Sequence, residues 1–200
     1  MEDESSPLFE DALKRSVERV EERLGSPCSI TVHTHLSEAM LAKLEAIDHE
    51  KFRQELWYSR TELLEKTRKK DFVCFILSVD HEPVAFLFGY DYDAGSQGFF
   101  LDELATRVEG KGVGKVLITL LLVYCYELGY TSVFLYTEDL DQDGRHLRDF
   151  YEYVGFSYVA TDPALGVVMR YSVEEKTLSA LFRQVMFTEG GVFPPYFSNA

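Results

Sequence analysis

The chain has 200 residues, 46% hydrophobic and 27% charged, the composition of a single soluble globular domain large enough to bury a core. Its net charge of −14 argues against direct nucleic-acid binding, which needs clustered Lys and Arg for the phosphates. No apolar run approaches the roughly 20 residues that span a bilayer, and Cys28, Cys74 and Cys125 are odd in number, widely spaced and free of any CxxC, so neither a membrane span nor a disulfide framework is expected.

A secretory signal is basic and then apolar, whereas Met1 to Ser6 is acidic and polar. With the cysteines, this points to a reducing compartment, the cytoplasm. An acidic surface would attract a cationic or amine-bearing partner; it serves equally to keep a protein soluble.

The first element is a helix over 8–24, where Leu8, Phe9, Ala12, Leu13, Val17, Val20 and Leu24 recur at three- and four-residue steps. Gly25-Ser26-Pro27 stops it. Ser29 to His33 alternates and is β-branched, which predicts a short strand. Ser37 and Glu38 open a broken helical stretch to Lys70, and its charged part from Arg60 is expected to be solvated. A hairpin follows, with strands 72–79 and 84–92 around Asp80-His81-Glu82-Pro83. A turn at 94–98 leads to a strand over 99–106. Gly112 to Leu128 predicts a long apolar helix ended by Gly129 in a left-handed cap. Strand 132–137, helix 144–154, strands 156–160 and 167–171 and helix 174–186 complete the order, ahead of an irregular tail over 189–197. The pattern predicts an α/β (α+β) fold: a mixed, mostly antiparallel central sheet of about seven strands with helices on both faces. It forms one domain over 1–200, with a core at about 28–172 and extensions at 7–25 and 173–200.

Glu109-Gly110-Lys111-Gly112-Val113-Gly114-Lys115 sits where a strand hands over to the apolar helix. A helix start carries unpartnered N–H groups and the positive end of the dipole. Glycine lets a phosphate approach the backbone, so this junction suits a diphosphate. Lys111 and Lys115 can add charge. Other phosphate motifs fail: a P-loop would put its first glycine on Glu109 and its Ser/Thr on Val116, and a Rossmann G-x-G-x-x-G would need glycine at Lys115. His33 and His35 lie two apart on a strand, but no nearby Cys or His completes a metal set. Asp139 to Gly144 lacks the twelfth-position Glu of a calcium loop. No metal is expected.

The junction resembles that of the GCN5-related N-acetyltransferases, whose signature is [QR]-x-x-G-x-[GA] ahead of a long helix. Gly112-Val113-Gly114 matches the G-x-G, and Glu103-Leu104-Ala105 resembles the preceding strand. About 40 residues downstream, Asp149-Phe150-Tyr151-Glu152-Tyr153-Val154-Gly155-Phe156 resembles the family's L-Y-E-K-x-G-F segment. The resemblance covers roughly 72–171. It departs from the family at Glu109, which replaces the Gln or Arg, in a connection about two residues shorter before Gly110, and at Gly144, where an Asn is common. A carboxylate cannot donate to a phosphate, so Glu109 is expected to point away.

The resemblance implies acetyl-CoA as co-substrate and direct transfer of acetyl to a primary amine in a ternary complex. The acceptor would be a protein N-terminus or lysine, a polyamine or a small amine. A non-catalytic acyl-CoA-binding module is the alternative, and a homodimer is left open. It implies that the backbone of Leu104, Ala105 and Thr106 takes the pantetheine as an added strand, with Glu109 to Lys115 at the diphosphate. It makes Tyr151 the acid for the leaving thiolate; without it, Tyr151 reads as an aromatic core residue. Asp102 and Glu103 are the candidate bases, expected on opposite faces of the strand so that one alone meets substrate. Glu138 and Tyr136 are alternatives.

Overall fold

The computed structural model describes residues 7–92, 97–140, 144 and 146–187. Seven strands form one sheet in the order β1-β2-β3-β4-β5-β7-β6. β1 (Cys28–His33), β2 (Val73–Val79), β3 (Glu82–Asp91) and β4 (Gly98–Thr106) make an antiparallel meander. β5 (Ser132–Thr137) joins β4 in parallel, and β7 (Gly166–Ser172) lies between β5 and β6 (Ser157–Asp162), antiparallel to both.

Period-two alternation divides the core. Ala85, Leu87, Phe99 and Leu101 pack with α1 (Pro7–Leu24), α4 (Val113–Glu127) and α6 (Glu175–Met186) on one face. Ile76, Phe86, Phe88 and Ala105 pack with α2 (Glu38–Lys51) and α3 (Arg60–Lys66) on the other. α5 (Leu147–Tyr153) joins the α4 side through Phe150 and Tyr151. α4 is apolar almost all round because the sheet and two helices enclose it. Among the described residues no helix is long and apolar enough to cross a membrane.

The elements follow the expected order, with four local differences. The β2–β3 turn is tighter than expected: Asp80 and His81 both have positive φ, 49° and 70°, as a two-residue hairpin turn requires, and Glu82 and Pro83 already belong to β3. The stretch 37–70 divides into α2, a 3₁₀ turn at Gln54–Leu56 and α3, each α-helix opened by a serine cap, Ser37 and Ser59. The charged run 60–70 is mostly exposed, as expected, but Leu63 of α3 is buried and Lys66 reaches Asp102 of β4. α5 starts at Leu147, because His146 still bridges Leu140 in extended backbone. Most of the expected turn at 94–98, the loop residues 141–143 and the tail at 189–197 lie outside the described residues.

Candidate active site

β4 and β5 are paired only through Gly98–Ser132, Phe99–Val133 and Phe100–Phe134, and then part. Beyond the fork β5 is joined to β7, while among the described residues β4 from Leu101 to Thr106 is paired on its β3 side alone. The edge carrying Leu104, Ala105 and Thr106 therefore offers backbone donors and acceptors to an extended ligand.

β4 leads into the glycine turn. Gly110 and Gly112 both have φ of +72°, left-handed backbone that a β-carbon disfavours. Gly112 is the N-cap of α4; no side chain caps the helix and its first turn holds no acid. An open depression of about 380 Å³ lies over the turn, lined by Arg23, Gly110, Lys111, Gly112 and Lys115. In a chain of net charge −14, three cations and no carboxylate line this depression. The sign reversal, added to the helix start, gives the depression a positive potential that favours an anion. Val113 is buried beneath it. A β-carbon on Gly114 would meet Leu104 and Phe150 at 3.4 Å, so β4, α4 and α5 converge there. Lys115 lies 3.6 Å from the centre of the Tyr153 ring.

Two clamps hold the turn. From the end of α2, Lys51 pairs with Glu109 at 2.9 Å and Glu50 with Arg107 at 2.7 Å. The Glu109 carboxylate is thus engaged with α2 and does not line the depression. From α1, Arg23 donates through Nη1 to the carbonyls of Gly112 (3.0 Å) and Lys111 (3.4 Å), and through Nη2 to that of Val185 in α6 (3.1 Å). Sequence reasoning missed Arg23. It reads as an ordinary basic residue in the last turn of a helix, 89 positions from Gly112.

The carboxylates of β4 correct an expectation. Phe88 pairs with Glu103 and Gly89 with Leu101, so Asp102 is the extra residue of a β-bulge. The alternation restarts after it, and Asp102 and Glu103 both project toward α2 and α3 rather than to opposite faces. Asp102 accepts from Tyr58 (2.8 Å) at Oδ1, and from Tyr90 (3.0 Å) and Lys66 at Oδ2. Burial, and then the charge of Asp102, raise both phenols, which keeps them protonated donors. Glu103 faces Asp48 of α2 at hydrogen-bond reach; the backbone N–H of Tyr58 approaches Asp48, and no other side chain donates to their four oxygens. Burial first, then the charge of Asp48, pushes Glu103 well above the usual carboxylate range, and burial raises Asp48. Two buried carboxyls in contact retain a proton between them.

Tyr151 is half-buried, 5.1 Å from Phe150 and 5.7 Å from Phe156 between ring centres. Its hydroxyl has no hydrogen-bond partner among the described residues. Burial pushes the phenol up to about 12. Across the fork, Tyr136 and Glu138 stand at the end of β5. Tyr136 lies 2.9 Å from the hydroxyl of Tyr92, a hydrogen bond that, with burial, raises it to about 12. Glu138 pairs with Arg53. Phe134 stacks on Tyr92 at 5.0 Å and Phe100 meets Tyr136 at 5.1 Å, giving this side of the fork an aromatic floor. His33 is engaged with Thr31 at 2.8 Å, and no group of three or more His, Cys, Asp or Glu among the described residues is arranged to hold a metal ion.

Solved structures share this architecture. The ribosomal-protein-S18-alanine N-acetyltransferase of Escherichia coli matches 82% of this chain and 99% of its own, with a TM-score of 0.57 at 14% identity. An aminoglycoside 6'-acetyltransferase type Ii matches 72% of this chain and 97% of its own (TM-score 0.61, 21% identity). The PaiA N-acetyltransferase of Thermoplasma acidophilum, solved with coenzyme A, matches 72% and 99% (TM-score 0.59, 19% identity). At these identities the likeness is one of fold. A comparison with curated proteins finds no sequence match. The family model described as Acetyltransferase (GNAT) family matches residues 37–156, which takes in α2 to α5 with the parted strands and the glycine turn; the chain belongs to this family.

Proposed function

We propose that this protein transfers an acetyl group from acetyl-CoA to a primary amine in a ternary complex, in the cytoplasm. One observation carries the reading: the unpaired edge of β4 runs directly into a cationic, glycine-lined depression at the start of α4. That geometry suits a ligand with an amide-bearing arm and a diphosphate. Leu104, Ala105 and Thr106 would pair with the arm through their backbone, and Gly110 to Lys115 would hold the diphosphate. The bound co-substrate supplies an activated acetyl thioester.

The protein's own groups then have to move protons. Tyr151, with a free hydroxyl beside the convergence of β4, α4 and α5, is the acid for the departing thiolate. Asp102 and Glu103 are poorly placed as direct bases: the first already accepts from three donors, and the second is buried against Asp48. In this reading they support the strand, and the ammonium loses its proton to water beside Tyr136 and Glu138. The aromatic floor suits a cationic acceptor through its ring faces, and Glu138 would have to exchange its Arg53 partner to meet one. The acceptors named for similar structures, a ribosomal-protein alanine and aminoglycosides, carry amines.

The sequestered carboxylates also favour a second reading, a non-catalytic acyl-CoA-binding module. Calorimetric titration with acetyl-CoA, followed by thiol release with a panel of protein N-termini, lysine peptides, polyamines and aminoglycosides, separates the two. Turnover on any amine supports the enzyme. Binding without turnover supports the module, and absence of binding at millimolar ligand removes both.

A further inference from the structure

We infer that the helices outside the family match complete the donor site: Arg23 of α1 supplies the cationic side chain that the glycine turn lacks at Glu109, positioning the turn and binding the co-substrate's diphosphate. The inference rests on the acetyl-CoA reading above and deepens it.

The family match begins at residue 37, so α1 and α6 lie beyond it. Arg23 nevertheless lines the depression with Gly110, Lys111, Gly112 and Lys115. Its acceptors there, Lys111, Gly112 and Val185, are all neutral carbonyls. Among the described residues no carboxylate stands within ion-pair distance; the adjacent Glu22 is taken by Arg19 at 2.9 Å. A tether between two helices and a loop needs hydrogen bonds, not a charge. A half-buried guanidinium with no ion-pair partner, opposed by Arg19, only partly offset by Glu22 and next to two lysines, carries charge that an incoming anion would neutralise. A guanidinium has five N–H donors, and the three carbonyls leave Nε and one Nη2 hydrogen uncommitted.

Gly112 fits the same scheme. A β-carbon there would lie 2.4 Å from Nη1 of Arg23, so the glycine admits the guanidinium against the start of α4. Meanwhile Lys51 draws the Glu109 carboxylate toward α2, away from the depression. The site is thus held from both sides, by α2 through the carboxylate and by α1 through the cation.

The test is calorimetric titration of wild type, Arg23→Gln and Arg23→Lys with acetyl-CoA across a salt series, alongside melting curves of the ligand-free proteins. Gln keeps two of the N–H donors on a shorter side chain and loses the charge. Loss of one charge-assisted contact predicts about tenfold weaker binding for Arg23→Gln and a smaller loss for Arg23→Lys. Removing a phosphate-facing charge also makes the affinity of Arg23→Gln fall less steeply with salt than that of wild type. Unchanged affinity in Arg23→Gln overturns the inference while leaving the acetyl-CoA reading intact. So does weaker binding with the wild-type salt slope, which marks a tether alone. Wild type that fails to bind acetyl-CoA overturns both.

Discussion

Replacing Glu103 by Gln is expected to stabilise the protein, and increasingly so as the pH rises. Glu103 and Asp48 meet between β4 and α2; apart from each other and the backbone N–H of Tyr58 near Asp48, no donor reaches their oxygens. Asp102 adds to the repulsion on Glu103 and Lys66 offsets it; around Asp48, His49 at 3.9 Å opposes the repulsion and Glu45 adds to it. Both carboxyls are raised in the fold, so the folded protein binds protons more tightly than the unfolded chain. Such a group contributes its full stability below its unfolded pKa and loses it as the pH climbs through the folded one. The loss therefore begins near about pH 4, the ordinary carboxylate range, and continues upward. Gln has no proton to lose and can donate its amide to Asp48. A buried oxygen deprived of a donor costs about 1–3 kcal/mol, which sets the gain expected for Glu103→Gln at about pH 8. In a chain of this size that is a rise of about 2–12 °C in melting temperature. Melting curves of both proteins over a pH series measure it. A gain that does not change with pH, or a variant less stable at alkaline pH, would refute the shared proton.

Tyr151→Phe should lower turnover by about a hundredfold or more with acetyl-CoA affinity unchanged, because the hydroxyl is invoked only as an acid; equal loss in both would make its role structural. Gly112→Ala should weaken acetyl-CoA binding sharply, since a residue at φ +72° is strained by about 1–2 kcal/mol and its β-carbon displaces Arg23; calorimetry at wild-type affinity would show that the turn is not the phosphate site. Asp102→Ala strands Lys66, Tyr58 and Tyr90 without their acceptor and should cost about 3–5 kcal/mol in denaturant unfolding. Full stability with lost turnover would instead make Asp102 the base.

Much of the fold was legible because its signals are local. α4 is apolar over four turns, β5 has the predicted limits 132–137, and Gly129 closes α4 at φ +80°. The glycine turn was legible as a left-handed strand–helix junction for the same reason, Gly110 and Gly112 both taking φ of +72°. The failures all concern pairing. Nothing in Leu101-Asp102-Glu103-Leu104 announces a bulge, because the extra residue is defined by what β3 places opposite it. Plain alternation therefore sent one carboxylate to each face. The charged run 60–70 read as solvent-exposed, and most of it is, but composition does not reveal that Asp102 waits beneath Lys66.

Glu109 shows why the motif residues and the site are different things. Read locally, a carboxylate in place of Gln or Arg weakens the case for an anion site. In the fold, Lys51 neutralises that carboxylate from α2 and a guanidinium arrives from α1, so the depression keeps its positive sign. The electrostatic requirement for binding a diphosphate constrains the total charge around the turn, not the identity of one position in it. A chain that moves the cation from the turn to an N-terminal helix must also fix that helix against the turn. The bonds from Arg23 to Gly112 and to Val185 do this, together with the packing of α1 on α4 and α6. The extensions are then expected to be inseparable from co-substrate binding, and the Arg23 variants decide whether they are.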